Sequence, residues 1–389
     1  MKKTISACSI YIFTWLLYNL QGVLYQSGGI ISKALLFVLL LWSLIYVFKV
    51  NSKKAPVYFR GLNLLVILFS IYGIILIVSG KQLYITEFTK TFAPNTNYLK
   101  SVYSSLLPIY VFYYYAKHRQ LREEHLRFWV IAFIATAILQ FFRSQQLMLQ
   151  MSNLTEATNN AGYLFLYIIP VLIVYRNKPI IQYLLLAICF TFILLSMKRG
   201  AIVIGVLSTF LFLLHSIRNS SKSKKVAVVA LSGLFLFSAY LIVLTMLESS
   251  DYFISRIEAT LEGDDSNRSL IYSRLITAFT QEASFGKMLL GRGANGTLEV
   301  GSNFAHNDWL EILTNQGIVG VVMYLVYWIF FMLTCKSQYI TGNNKFCLYL
   351  ILMICFSKTM FSMSYSALSI YITSVLGLSL ANRINVDKS

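Results

Sequence analysis

Charge is what this chain has least of: Asp, Glu, Lys and Arg make up only 12% of its 389 residues, against 57% apolar. Soluble domains carry roughly 25% charged residues. So few charges do not cover a globular surface of this size, and lipid is the expected solvent. Acidic groups are scarcer still, 15 against 33 basic, which leaves a net charge of +18. That surplus forms no basic stripe on a polar domain. It is divided into short clusters between apolar runs, the pattern of membrane orientation signals rather than of a nucleic-acid surface. No nucleic-acid partner is expected. Cysteine is sparse as well. Cys8, Cys189, Cys335, Cys347 and Cys355 all lie in or beside apolar segments, with no C-x-x-C among them. Such cysteines act as small hydrophobes, and neither a disulfide framework nor a metal cluster is supported. Also missing are H-E-x-x-H, Cys/His metal spacing and G-x-S-x-G, so the familiar zinc and serine hydrolase signatures do not apply.

What the chain does have is long apolar runs. A helix needs about 20 apolar residues to cross the hydrocarbon core. Segments near that length fall at Ile5–Leu24, Ile30–Phe48, Gly61–Ser79, Leu99–Ala116, Leu126–Phe142 and Ala161–Tyr175. Six more follow at Ile180–Ser196, Gly200–His215, Val226–Leu247, Ile318–Thr334, Phe346–Phe361 and Ser364–Ala381. The expected fold is therefore all-α, a polytopic membrane protein of about 12 transmembrane helices. Met1-Lys2-Lys3 precedes the first run without a small-x-small cleavage site, so that run reads as a retained helix. With the N-terminus in the cytoplasm, 20 of the 33 basic residues fall on cytoplasmic segments. Of the other 13, five lie in one long loop where the rule has little force, leaving eight. Both termini are expected to be cytoplasmic.

Three parts follow: helices one to nine over residues 1–247, a polar loop over 248–305, and helices ten to twelve over 306–389. The loop is expected outside, and it holds eight acidic and five basic residues. Within it Ser266–Ser284 has the period of an amphipathic helix, with Leu270, Ile271, Leu275, Ala278 and Phe279 near one face. Asp264, Asp265 and Ser266 supply its cap and first-turn acidity. This helix is expected to lie on the membrane surface or to roof the bundle. Gly286 to Gly301 reads as irregular chain.

Four places could carry chemistry. The turn Ser196-Met197-Lys198-Arg199-Gly200-Ala201 sets two cations at an outer surface, against the orientation trend. They could contact lipid headgroups by snorkelling, or clamp a phosphate, which the planar guanidinium fork of Arg199 matches. Arg268 falls in the first turn of the loop helix, where a cation opposes the helix dipole. It could pair with Asp264 or Asp265, or share an anion with the free backbone donors. His306, in Asn303-Phe304-Ala305-His306-Asn307-Asp308-Trp309-Leu310-Glu311, is the one histidine expected on the outer side. It is either an interfacial structural residue or a base able to take a proton near neutral pH. Gly291-Arg292-Gly293-Ala294-Asn295-Gly296 matches G-x-G-x-x-G in form but follows no strand, so a tight turn accounts for it better than a dinucleotide site.

Taken in order, these stretches resemble a known family. Ser196 to Ala201, Asn267-Arg268 with Tyr272 four residues on, Leu290-Gly291-Arg292-Gly293, and His306-Asn307 through Leu310-Glu311 to Gly317-Ile318-Val319-Gly320 are similar to the O-antigen polymerase and ligase family. The likeness covers roughly Leu185–Leu333, with a fainter match at Asn159-Asn160-Ala161-Gly162-Tyr163 and Pro170. Lys198 departs from the family, many members of which have serine before the arginine. The resemblance implies a fold of the GT-C kind and a metal-independent transferase without a cofactor, working at the outer face of the bacterial cytoplasmic membrane. It implies an undecaprenyl-diphosphate-linked glycan donor and a glycan acceptor as partners, with a chain-length regulator as a protein partner of a polymerase. Arg199 and Arg268 then bind the diphosphate, His306 deprotonates the acceptor, and Lys198, Asn307, Arg292 and Asn160 are further substrate-binding candidates. Polymerase, ligase and, as another class, a polysaccharide or lipid transporter remain open. A transporter would be marked by paired charges inside the spans or by repeated halves.

Overall fold

In lipid every backbone N–H and C=O must find its partner within the protein, and an apolar run does so as a helix. The computed structural model describes residues 6–52, 55–81, 83–85, 91–93, 95–152, 157–261, 268–301, 303–340 and 342–382. In chain order these form α1 (Ala7–Asn19), α2 (Ile30–Asn51) and α3 (Tyr58–Ser79), then a small antiparallel pair, β1 (Leu83–Ile85) and β2 (Thr91–Ala93). There follow α4 (Thr96–Leu106), α5 (Pro108–Lys117), α6 (Glu123–Ser152), and α7 (Gly162–Ile168), which tightens into a 3-10 stretch at Ile169–Tyr175. Next come α8 (Pro179–Leu195), α9 (Arg199–Arg218), α10 (Lys222–Ser249), α11 (Asp251–Leu261) and α12 (Arg268–Thr280). The chain continues through α13 (Phe285–Leu290), α14 (Thr297–Gly301), α15 (Asp308–Lys336), α16 (Gly342–Phe361) and α17 (Ile370–Ala381).

Among the described residues seven helices are long and apolar enough to cross a membrane: α2, α3, α6, α9, α10, α15 and α16. The other five of the twelve expected spans are shorter or broken. α1 has 13 residues, about 20 Å at the helical rise. The run Leu99–Ala116 divides at Pro108, whose ring and missing N–H end α4 and start α5. α5 and α17 pack together at the centre of the bundle. Every residue of α17 from Ile370 to Leu380 is buried, as expected of a helix that is apolar all round. Gly377 permits their approach, since a Cβ there would lie 2.6 Å from the Cβ of Phe112. α10 is the opposite case: Leu234, Leu236, Phe237 and Leu241 point away from the protein, as lipid contacts do.

Three departures from the sequence reading bear on the site. The tenth span, expected from Ile318, begins at Asp308, because the helix runs through a kink at Gly317 (φ 67, ψ −162). The stretch expected to be irregular contains the two short helices α13 and α14. α12 is shorter than Ser266–Ser284, and its buried face is Ile271, Leu275 and Ala278, while Leu270 is 50% exposed. Its proposed cap at Asp264, Asp265 and Ser266 lies outside the described residues. The helical hairpin of α8 and α9 forms as the short connection requires, turning at Ser196–Lys198 with Met197 in the left-handed region (φ 50).

Candidate active site

The hairpin turn is latched to the start of α7. The N–H of Asn159 donates to the Ser196 carbonyl at 2.8 Å, and a Cβ on Gly162 would meet Ser196 Oγ. Asn159 is fully buried. Its Nδ2 donates to the Phe141 carbonyl (2.9 Å), and its Oδ1 accepts from the Ala161 N–H (2.9 Å). Of the adjacent asparagines, Asn159 therefore carries structure, while Asn160, the substrate-binding candidate, is exposed. Lys198 is the cap residue of α9 and Arg199 its first residue, both half-buried. The next residue, Gly200, lies under Tyr163 and Phe361: a Cβ there would sit 2.6 Å from Tyr163 Oη and 2.7 Å from Phe361 Cβ. The backbone next to Arg199 is thus packed between α7 and the end of α16.

Tyr163 connects this corner to the loop helix. The Arg268 guanidinium is near enough to act electrostatically on the Tyr163 phenol. One turn further along α12, Ile271 and Leu275 close on Ala305, forming a small apolar cluster with Tyr272, Val300 and Leu310 at its edge. Ala305 immediately precedes His306. The same helix therefore brings Arg268 toward Tyr163 and seats the histidine turn.

His306 itself has φ 52, the left-handed region that side chains other than glycine adopt at a cost. Two anchors fix it. Asn307 caps α15, its Oδ1 accepting the N–H groups of Trp309 (2.9 Å) and Leu310 (3.2 Å); its side chain is occupied with the helix start. Glu311, fully buried, accepts the Ala305 N–H (2.8 Å), the Thr297 hydroxyl (2.7 Å) and the Asn315 amide (2.9 Å). Three donors satisfy a buried carboxylate, which otherwise would be costly to bury.

The glycine-rich motif builds the platform beneath. Gly291 (φ 77) and Gly293 (φ 99) turn the chain, so that the N–H groups of Arg292 and Gly293 donate to the carbonyls of Thr314 (2.8 Å) and Asn315 (2.9 Å). These carbonyls are reachable because α15 is kinked at Gly317. A Cβ on Gly317 would lie 2.5 Å from the Leu289 carbonyl oxygen, and one on Gly291 would lie 2.4 Å from the Asn315 backbone. Arg292, a candidate substrate contact, points its guanidinium to the end of α12, donating to the Ala278 carbonyl (3.1 Å) and pairing with Glu282 (3.6 Å). Of the seven candidates, Lys198 and Arg199 lead into Gly200, which packs on Tyr163, Arg268 acts on the same phenol, and His306 follows the Ala305 that α12 covers. Asn307 and Arg292 serve local structure, and Asn160 is exposed.

Residues given no role in the sequence reading complete the site. Asp308 and Lys358 are both buried. Asp308 accepts from the Tyr324 hydroxyl (2.6 Å) and from the N–H groups of Ser364 (2.8 Å) and Tyr365 (3.3 Å). Lys358 donates to the Met363 carbonyl (2.7 Å), with its Nζ 5.0 Å from the centre of the Tyr163 ring and 5.3 Å from that of Tyr167. The signal for Lys358 was a cation inside the apolar run Phe346–Phe361. The one for Asp308 was concealed by starting the span at Ile318.

Fold and site together define a polytopic membrane protein with a cation-rich polar site where helix ends meet. Residues 184–325 match the family model Wzy_C, described as O-Antigen ligase. The match spans under half of the chain and agrees with the family resemblance read from the motifs. The match holds Arg199, Arg268, Arg292, His306, Asp308 and Glu311, whereas Tyr163 and Lys358 lie outside it. No curated protein matches the chain.

Proposed function

We propose that the protein is a metal-independent inverting glycosyltransferase that polymerises undecaprenyl-diphosphate-linked oligosaccharide repeat units at the outer face of the bacterial cytoplasmic membrane. Three contacts support this reading: Gly200, next to Arg199, packs on Tyr163, the charge of Arg268 acts on the same phenol, and α12 covers Ala305 beside His306. In the reaction, an acceptor hydroxyl oxygen attacks the anomeric carbon of the donor sugar as the bond to the diphosphate oxygen breaks. His306 takes the hydroxyl proton. The negative charge developing on the diphosphate falls to Arg199 and Arg268, whose paired donors suit phosphate oxygens and need no reorganisation during the step. Lys198 adds charge beside Arg199. A single displacement inverts the anomeric centre. A lipid-linked donor also accounts for a site at the ends of membrane helices.

The description of the matched family favours a second reading, a ligase that passes the glycan to lipid A-core or another carrier. Both reactions use the same donor, leaving group and base. The balance of eight acidic to five basic residues over 248–305 supports the polymerase, because a core oligosaccharide bearing phosphates calls for a basic approach. The transporter reading loses support from the way Asp308 and Lys358 are engaged, each on backbone groups of one connector. The test supplies purified protein with lipid-linked repeat units alone. A ladder of longer lipid-linked glycans is expected; no elongation, followed by transfer once lipid A-core is added, makes it a ligase.

A further inference from the structure

Asp308 and Lys358 are fifty positions apart in sequence, yet both end on the same three residues. The stretch Met363-Ser364-Tyr365 connects α16 to α17. Asp308 takes its N–H groups, at Ser364 (2.8 Å) and Tyr365 (3.3 Å), while Lys358 gives to its carbonyl, at Met363 (2.7 Å). A negative and a positive group thus grip opposite poles of one peptide segment. Asp308 has 0% and Lys358 2% relative exposure. Isolated charges at such positions are strongly disfavoured, and ionisable groups in membrane spans are retained where they have a partner and a task. Their surroundings are otherwise aromatic or weakly polar: Tyr163 and Tyr167 beside the ammonium, and Tyr324 on the carboxylate.

The couple also bears on the reacting groups. Asp308 is two residues past His306, in the first turn of the helix that Asn307 caps. Lys358 stands one turn before Phe361, against which Gly200 of the arginine hairpin packs. A further tie joins the two helices near these charges, since Trp309 Nε1 donates to Thr359 Oγ1 at 3.0 Å. The end of α16 and the connector after it thus meet both turns: Phe361 takes Gly200 of the arginine hairpin, and Ser364 and Tyr365 take Asp308 beside the histidine turn.

We propose that Asp308 and Lys358 form a buried charge couple, acting through the Met363–Tyr365 connector, that sets His306 against Arg199, and that both are positioning residues for glycan transfer. This rests on the transferase reading above. The couple contacts no reacting atom, so its loss is expected in the turnover step rather than in donor binding. Removing one charge leaves the other buried alone; removing both leaves a neutral pair, with an asparagine carbonyl still able to accept the Ser364 N–H.

The experiment compares Asp308→Asn, Lys358→Met and the double variant as purified full-length protein with the lipid-linked donor. Each single variant is expected to lower kcat at least about 10-fold with KM changed by no more than about two-fold, a split that marks loss of a transition-state arrangement. The double variant is expected to be no worse than the weaker single. Hydrogen exchange at the Ser364 and Tyr365 amides should quicken in each single variant. Losses that multiply in the double variant, a change confined to KM, or unaltered turnover in either single variant would overturn the proposal. Should the single variants aggregate, the double variant is expected to purify as a monodisperse protein, and its aggregation alongside them counts against the couple. If the unaltered protein neither elongates nor transfers, the transferase reading fails, while exchange and double-variant folding still decide the couple.

Discussion

The carboxylate of Glu311 accepts the backbone N–H of Ala305 at 2.8 Å, so a side chain one turn into α15 fixes the residue that precedes His306. The same carboxylate holds Thr297 and Asn315, tying α14 and the kinked part of α15 to the histidine turn. Glu311→Gln keeps the shape but sets an amide N–H₂ against at least one of three donors. A loss of about 1–3 kcal/mol is expected for a buried donor left unsatisfied. Thermal unfolding in detergent should show the lower midpoint, together with slower transfer; an unchanged midpoint would mean that the carboxylate does not brace the turn.

Gly317 is where the glycine motif docks. Alanine there meets the Leu289 carbonyl and the Gly291 N–H and must also keep φ at 67. The left-handed backbone costs about 1–2 kcal/mol, and the overlap about another 1–3 kcal/mol. Gly317→Ala should therefore reduce stability markedly and loosen α13 from α15. Limited proteolysis between 285 and 301 is the readout, with faster cleavage than in the unaltered protein expected. Equal cleavage rates contradict the docking.

For the two arginines, charge alone is not the requirement. Lysine is a point charge without the fork, so Arg199→Lys and Arg268→Lys should each lose most transfer activity. Arg218→Lys, at the far end of α9, should not. Full activity in either of the first two lysine variants would demote that arginine to a surface charge.

Orientation is testable without altering the native cysteines, because all five are buried and free. A cysteine at Ser273, exposed on α12, and one at Ser223, exposed at the start of α10, should differ toward an impermeant thiol reagent in intact cells. Labelling at 273 and not at 223 is expected. The reverse pattern would place the site in the cytoplasm.

Much of this was legible from the chain because lipid leaves few solutions. Hydropathy located the seven long helices, and Arg199 and Arg268 drew notice as cations out of place. The histidine emerged from a motif with defined spacing. Other features depend on information that is not local. Pro108 splits an apolar run whose hydropathy is continuous, and Gly317 lets a helix continue through a residue at positive φ, so α15 seemed to start late. The Asp308–Lys358 couple joins positions that the packing of α15 on α16 and the α16–α17 connector bring to one segment. Asn307 and Arg292 were given as substrate-binding candidates by the resemblance, and the sequence did not reveal that Asn307 also caps α15 and Arg292 also bonds the end of α12. Asn159 and Asn160 show the same ambiguity, resolved only by which of them is buried.

The most direct test of the account is the rate of glycan transfer by His306→Ala, measured in a single turnover with donor bound to purified protein. General-base catalysis contributes about 10²–10⁴-fold, equivalent to roughly 3–5 kcal/mol in the barrier. Transfer should fall by that factor, with donor affinity and protein yield little changed. Turnover near that of the unaltered protein would contradict the assignment of His306 as the base and, with it, the proposed chemistry of the site.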